Sequence, residues 1–207
     1  MLQCKPWMRI PRIVRDIPLT YISAGNTCMN MRQVLDVKIK KMQTYSQDIR
    51  SREIGRHIDY NIRRSKYMVR KYWASDSLEY FVSLESYDEK VIFGFIRLRI
   101  PPPDHDPVFH AIKFTGLVRE LHVYNNIVPV GFSKNISTQH MGIGKRLLKI
   151  CEYISWFHGL DGISVITGEG VRDYYHKRGY ESIDTYAVKY FRFHMIKFMI
   201  NFMIWLV

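Results

Sequence analysis

Thr138-Gln139-His140-Met141-Gly142-Ile143-Gly144-Lys145 is the stretch that decides how this 207-residue chain folds. Upstream, Gly116-Leu117-Val118-Arg119-Glu120-Leu121-His122-Val123-Tyr124 reads as a buried strand. Downstream, Ile143, Leu147, Leu148, Cys151 and Ile154 recur at three- and four-residue spacing, which predicts one apolar face of a helix reaching about Phe157. Gly142 and Gly144 let the backbone turn sharply and approach a ligand with no Cβ in the way. The amides that follow lack intrahelical partners and sit at the positive end of the helix dipole. Strand, Gln-x-x-Gly-x-Gly turn and helix, in that order, predict a seat for a phosphate or pyrophosphate.

On either side of this unit the pattern alternates. Leu78 to Tyr87 and Val91 to Ile100 read as two strands joined by Asp88-Glu89-Lys90, a hairpin with Tyr80, Val82 and Leu84 on one face and Ile92, Ile96 and Leu98 on another. Pro101-Pro102-Pro103-Asp104-His105-Asp106-Pro107 closes it. Two aspartates around a histidine admit a metal, but the prolines and the lack of other clustered ligands favour a surface loop. After the helix, Ile163 to Thr167 predicts a buried strand, Val171 to Arg178 a short helix ended by Gly179, and Tyr180 to Tyr190 the last strands. The sum is an α+β (α/β) chain with a mixed central sheet flanked by helices.

Composition narrows the class further. Apolar residues make up 47% and aromatics 14%, enough to fill a core and too much for a disordered chain. Cys4, Cys28 and Cys151 show no paired spacing, which argues against a disulfide framework or a zinc ribbon. That suits a reducing compartment, the cytoplasm or the nucleus. Pro6 and Pro11 interrupt the region where a signal peptide would need an apolar run.

The net charge of +12 sits towards one end: residues 1–75 hold 16 Lys and Arg against 5 Asp and Glu, the remainder 15 against 14. Such asymmetry marks either a segment that meets a polyanion or a solvated basic surface. A helix is expected near Asn30 to Thr44, capped by Asn30, with Met31, Val34, Leu35, Lys38, Ile39 and Met42 as its stripe. Lys38, Lys40 and Lys41 gather near its end, and Arg50, Arg52 and Arg56 follow. Then Arg63, Arg64, Lys66, Arg70 and Lys71 alternate with Tyr67, Tyr72 and Trp73. Cations interleaved with aromatics fit phosphate contacts plus base stacking on RNA, and they equally fit an exposed amphipathic edge.

Several blocks in register resemble one family. Arg119 to Tyr124, Val128-Pro129-Val130, Gln139 to Gly144, Ile163-Ser164-Val165-Ile166-Thr167-Gly168 and Tyr174-Tyr175-His176-Lys177-Arg178-Gly179-Tyr180 are similar to the GCN5-related N-acetyltransferase domain of the Elongator catalytic subunit family. Arg15-Asp16-Ile17-Pro18 and Asp48-Ile49-Arg50-Ser51-Arg52-Glu53-Ile54-Gly55 resemble the junction between that family's radical domain and its acetyltransferase domain. The likeness runs from about residue 5 to Lys189. It implies a basic, partly helical junction over 1–60, an acetyltransferase domain over 61–190, and an apolar tail over 191–207.

The family's function then sets expectations. These are acetyl-CoA as carbon donor and carboxymethylation of the wobble uridine of transfer RNA as the full reaction, with transfer RNA and other Elongator subunits as partners. The radical core binds an iron–sulfur cluster through closely spaced cysteines, and no such cysteine cluster occurs here, so only the acetyl-CoA half of the reaction is expected. Ser46 stands where the family usually has a metal-binding cysteine, so no metal site is expected. The resemblance places the pyrophosphate at Thr138, Gln139, His140, Met141, Gly142, Ile143, Gly144 and Lys145, and the pantetheine along Glu120, Leu121, His122 and Val123. Glu120 and His122 would order an attacking water, and Tyr174 or Tyr175 would protonate the departing thiolate. The competing readings are a non-catalytic RNA-binding module and a protein lysine acetyltransferase.

From Tyr190 to Val207, 14 of 18 residues are apolar, but Arg192, His194, Lys197 and Asn201 interrupt them. A spanning helix wants about 20 apolar residues, so an interfacial helix or an extension without membrane contact fits better.

Overall fold

Ten residues of alternating pattern, Ser65 to Ala74, turn at Ser75-Asp76 into Ser77 to Ser86, and this pair begins a seven-stranded sheet. The computed structural model describes residues 1–15, 17–57, 60–124 and 142–191. Within them the strands are β1 (Ser65–Ala74), β2 (Ser77–Ser86), β3 (Ile92–Ile100), β4 (Thr115–Val123), β5 (Gly162–Ile166), β6 (Glu181–Ile183) and β7 (Tyr186–Tyr190). The helices are α1 (Met31–Lys41), α2 (Ile49–Arg52), α3 (Ile143–Phe157) and α4 (Arg172–His176). Strand order is β1-β2-β3-β4-β5-β7-β6, antiparallel throughout except for the parallel β4–β5 pair. This is the mixed sheet with flanking helices expected of the GCN5-related N-acetyltransferase fold.

Helix α3 lies on one face of the sheet. Its Ile143, Leu147, Leu148 and Cys151 bury against Val82, Ile96, Leu98, Val118, Ile163 and Val165, the predicted stripe meeting the predicted strands. Approach is close enough to require glycine at position 116. A Cβ there would overlap Ser155 Oγ and come within 3.1 Å of Ser155 Cβ and Leu98 Cδ1. We expect Gly116→Ala to cost about 1–3 kcal/mol, the usual penalty for overfilling a packed core. Urea unfolding would measure it, and a change within experimental error would mean that the helix can lift off the strand freely.

Two β-bulges redirect side chains. Glu85 pairs with Ile92 and Leu84 with Gly94, leaving Phe93 as an extra residue. Phe93 therefore packs under α3 with Ile96 and Leu98, while Ile92 turns to the opposite face beside Phe81 and Phe95. Ile92 was expected beside Ile96; the bulge separates them. In β4, Arg97 pairs with Glu120 and Leu98 with Val118, so Arg119 is extra. Beyond it Leu121 and Val123 still pack against the α3 core, and Glu120 and His122 share the other face.

That other face is covered by the junction. Trp7 stacks on Tyr72 with ring centroids 4.7 Å apart, and Ile49 joins Phe81, Ile92 and Phe95 in a second apolar cluster. Charge holds the layer as much as apolar contact does. Buried Asp48 accepts from the Ile10 amide at 2.6 Å and pairs with Arg32 at 3.0 Å. Asp48 also accepts from the Ser51 amide, capping α2. Arg52, fully buried, pairs with Glu85 at 3.0 Å and donates to the carbonyls of Pro6, Gln47 and Glu89.

Two local expectations are corrected by this packing. Helix α1 buries none of its residues, and Val34 and Met42 of its stripe are exposed, because Arg32 tethers it through an ion pair instead of an apolar face. Asn30 makes no capping bond; its side chain binds Cys28 and Gln33.

Candidate active site

Strands β4 and β5 stay paired only from Thr115–Gly162 to Val118–Val165. From Arg119 onward β4 keeps its β3 neighbour but has no partner strand on its β5 side among the described residues. The splay exposes the backbone edge of Glu120 to Val123, which a peptide-like ligand can use as a strand uses its neighbour. The bulge at Arg119 marks where the splay begins.

The amino-terminal turn of α3 comes to this edge. Gly142 caps the helix in the left-handed region, at φ 69°, a conformation that favours glycine. Its carbonyl accepts from the Arg146 amide at 3.1 Å, so the amides of Ile143, Gly144 and Lys145 stand ahead of the first intrahelical bond. Gly142 has no side chain with which to cap them. Gly144 is needed for a different reason, since a Cβ on it would sit 2.7 Å from Tyr174 Oη and 3.6 Å from Val123 Cγ2. Helix, strand edge and Tyr174 therefore converge at Gly144. Beside them opens a basic cleft of about 430 Å³ with Lys145, Lys149, Lys177, Arg178 and Lys189 on its walls.

The two candidate tyrosines separate. Tyr174 is half-buried, its ring 3.5 Å below the Arg178 guanidinium, and its hydroxyl faces Gly144. Burial holds its phenol above the usual range, with Arg178 opposing. Tyr175 is buried in the core against Tyr180, and burial pushes it up to about 12. Both are protonated at neutral pH, but only Tyr174 reaches the convergence point.

Glu120 lies 2.6 Å from Arg97 Nε and 3.3 Å from His122 Nε2, while Arg119 pairs with Glu79 instead. Arg97 in turn donates to the Trp7 carbonyl at 3.0 Å and to Tyr72 Oη. The His122 ring nitrogen and the Arg97 guanidinium hold the Glu120 carboxyl at about 2, against desolvation. His122 packs on Phe95 and Tyr124 and stays half open to solvent. The depressed carboxyl stabilises the fold above the ordinary value of 4.5, and that stabilisation is lost as pH falls through 2. Glu120→Gln should thus cost roughly 2 kcal/mol near neutrality, with the part-exposed site in mind, and much less near pH 2. Urea unfolding of both proteins across that range checks it; a gap independent of pH would show that the ion pair carries no stability.

Sequence reasoning named these residues and offered Arg119 or Arg97 as a partner for Glu120; the structure pairs it with Arg97 and sends Arg119 to Glu79. Tyr72 escaped it, being 25 residues from Arg97 in the chain. The expected cofactor residues Thr138, Gln139, His140 and Met141 lie outside the described residues. Among the described residues no group of three or more His, Cys, Asp or Glu could hold a metal, and Ser46 is buried with its hydroxyl donating to the Met1 carbonyl.

The RNA candidates scatter. Arg52 is spent inside the protein on Glu85, so it cannot reach a phosphate. Arg70 is bound by Glu85 at 2.7 Å and Glu89 at 3.1 Å, Lys66 by Glu89 at 3.0 Å, and Arg56 lies 3.7 Å from Asp36. Arg50 donates to the Pro11 carbonyl. Lys38, Lys40, Lys41, Arg63, Arg64 and Lys71 are exposed.

No family model matches the chain. Known proteins do. Elongator complex protein 3 of Danio rerio is 36% identical over 189 residues, 89% of this chain and 34% of that protein. The Schizosaccharomyces pombe protein of the same name is 38% identical, across 89% and 35% respectively. The tRNA uridine(34) acetyltransferase of Dehalococcoides mccartyi is 36% identical, across 89% and 41%. Among solved structures, the archaeal Methanocaldococcus infernus Elp3 lacking its first 46 residues superposes with a TM-score of 0.80 at 34% identity, covering 91% of this chain and 46% of that one. The chain thus spans about a third of the length of the first two relatives.

Proposed function

The chain is a homologue of Elongator complex protein 3 along 89% of its length, and we propose on that footing that it is an acetyl-CoA-binding acyltransferase segment acting in wobble-uridine modification of transfer RNA. The observation that carries the reading is the convergence at Gly144. A helix amino terminus capped by glycine, a strand edge with no partner strand among the described residues, and a protonated phenol meet where no Cβ intrudes. The amides of Ile143 to Lys145 suit a pyrophosphate, the cleft lysines a further phosphate, and the β4 edge a pantetheine amide. When bound, acetyl-CoA supplies an activated acyl group as its thioester. A backbone amide of the β4 edge is suited to stabilise negative charge on a carbonyl oxygen.

Each side chain then has one task. Glu120, too acidic to accept a proton near neutrality, turns His122 Nε2 towards itself and leaves Nδ1 to take the proton from a water. Tyr174 Oη keeps its proton for a thiolate. Tyr174→Phe should therefore lower kcat by about 10²-fold with KM little changed, the scale of a lost general acid. Steady-state kinetics measures it, and an unchanged kcat would take the phenol out of the reaction.

The whole reading is tested by release of free CoA from acetyl-CoA by the purified chain, with and without transfer RNA. RNA-stimulated release is expected, limited to the acetyl-CoA half-reaction. RNA binding with no release would favour a non-catalytic RNA-binding module. Transfer to a basic peptide without RNA would favour a protein lysine acetyltransferase. The remaining Elongator subunits are the proposed partners. No helix among the described residues is long and apolar enough to cross a membrane.

A further inference from the structure

Strand β1 is the edge of the sheet, and its two faces have had different fates. Met68, Arg70 and Tyr72 point to the junction, where Arg70 meets Glu85 and Tyr72 meets Trp7. Tyr67, Val69, Lys71 and Trp73 point to the α3 side. Tyr67 packs against the core and Arg146, but α3 does not extend over the rest of the strand. Val69 is left 52% exposed and Trp73 75% exposed, and Trp73 stacks on no ring among the described residues. Lys71 pairs in register with Tyr80 of β2, whose hydroxyl bonds His158 Nε2 at 2.8 Å at the end of α3. Phe157, 80% exposed, adjoins that histidine. Among the described residues these form one uncovered shelf of rings and cations.

Charge distinguishes this shelf from the opposite face. On the junction side the cations that lie against the sheet are matched: Arg52 and Arg70 by Glu85, Arg97 by Glu120, Arg99 and Arg119 by Glu79. On the shelf, Lys71, Arg146 and His158 have no carboxylate partner among the described residues. Burial, with the charge of Lys71, holds His158 below the usual histidine range, as neighbouring cations without a counter-ion should. A large exposed tryptophan beside unmatched cations marks a binding surface.

From this juxtaposition we infer that the shelf of Val69, Lys71, Trp73, Tyr80 and His158 docks unpaired RNA. Trp73 is the stacking platform, and Lys71 and Arg146 are the phosphate contacts. Aromatic faces take any base and cations track the backbone, the pairing by which single strands are held on sheets. The assignment rests on the RNA part of the reading above and is independent of its acetyl-CoA part. It keeps Lys71 and Trp73 from the run of cations and aromatics read in the sequence, adds Arg146, and drops the arginines consumed internally.

The test measures binding of fluorescein-labelled transfer RNA, and of a labelled unpaired oligouridine, to the full chain by anisotropy over a salt series. Trp73→Ala should weaken both by about 10-fold, within the range for loss of one stacked base. Lys71→Glu should weaken both and make the slope of log affinity on log salt shallower by about 1. Lys113→Glu, at a cation that lies 3.5 Å from Asp106, should change affinity no more than about 2-fold for one remote charge. Equal urea unfolding midpoints show that all variants are folded, whether or not acetyl-CoA binds, and calorimetry with acetyl-CoA on the same samples separates this result from failure of the cofactor reading. Parent-like RNA affinity in Trp73→Ala and Lys71→Glu would overturn the inference and leave the shelf to a protein partner. Equal loss in Lys113→Glu would also overturn it, since charge alone would then account for binding.

Discussion

Gly142→Asp and Gly144→Asp should each reduce acetyl-CoA affinity by about 10³-fold while the protein stays folded. The size follows from charge: a carboxylate about 4 Å from a phosphate at a partly screened site repels it by about 4 kcal/mol. The fold should tolerate both changes, for different reasons. Position 142 caps α3, and an aspartate there can accept from amides that a glycine cannot cap, although φ 69° costs it some strain. Position 144 has Tyr174 Oη as its nearest obstacle, the far end of a side chain that can swing aside. Gly144→Asp should also reduce turnover of any acetyl-CoA still bound, because Tyr174 is displaced. Titration calorimetry and urea unfolding on the same samples check both halves. Full affinity in a folded Gly144→Asp protein would show that the cofactor does not use the start of α3.

Glu85→Ala should cost about 3–5 kcal/mol, the range for stranding a buried charge, and so should remove much of the stability of an ordinary domain. Glu85 is fully buried and serves two guanidiniums, Arg52 at 3.0 Å and Arg70 at 2.7 Å, besides accepting from Ser83. Removing it leaves buried Arg52 with no carboxylate in contact, facing an Arg70 that keeps only Glu89. Burial already lowers the Arg52 pKa, Glu85 raises it, and Arg70 lowers it again. Arg52→Ala should cost less than Glu85→Ala, since Glu85 keeps Arg70. Its loss should instead release the carbonyls of Pro6 and Gln47, and with them the junction. Urea unfolding of the two variants ranks them, and the reverse order would mean that Arg52 matters mainly through its carbonyl contacts.

What the sequence made legible was whatever repeats locally. The alternation of β2 and β3 and the three- and four-residue spacing from Ile143 to Ile154 predicted the hairpin and α3, because each buries one continuous face. The bulges at Phe93 and Arg119 break the period without any residue that announces them, which is why Ile92 appeared on the wrong side. Strand β1 was read for its arginines because the acids that neutralise them, Glu85 and Glu89, arrive 15 and 19 residues later in the chain. Arg52 misled for the same reason: its charge suggests a surface, and only the fold brings Glu85 to it. At the site, Glu120, His122 and Tyr174 could be named in advance. Choosing Tyr174 over Tyr175 needed burial, which adjacent identical residues do not reveal.

The sheet ends on one side with β6, three residues long, and on the other with β1, ten residues long and with no partner strand on its outer side among the described residues. A long free edge is a template on which another copy can crystallise its own strand, and Val69 and Trp73 make this one adhesive. Lys66, Arg70 and Lys71 are the charges that hold like molecules apart, but two of the three are already neutralised by Glu85 and Glu89. Colloidal behaviour should therefore depend on Lys71 and on whatever polyanion covers it. Preparations stripped of nucleic acid should be the ones that precipitate on concentration.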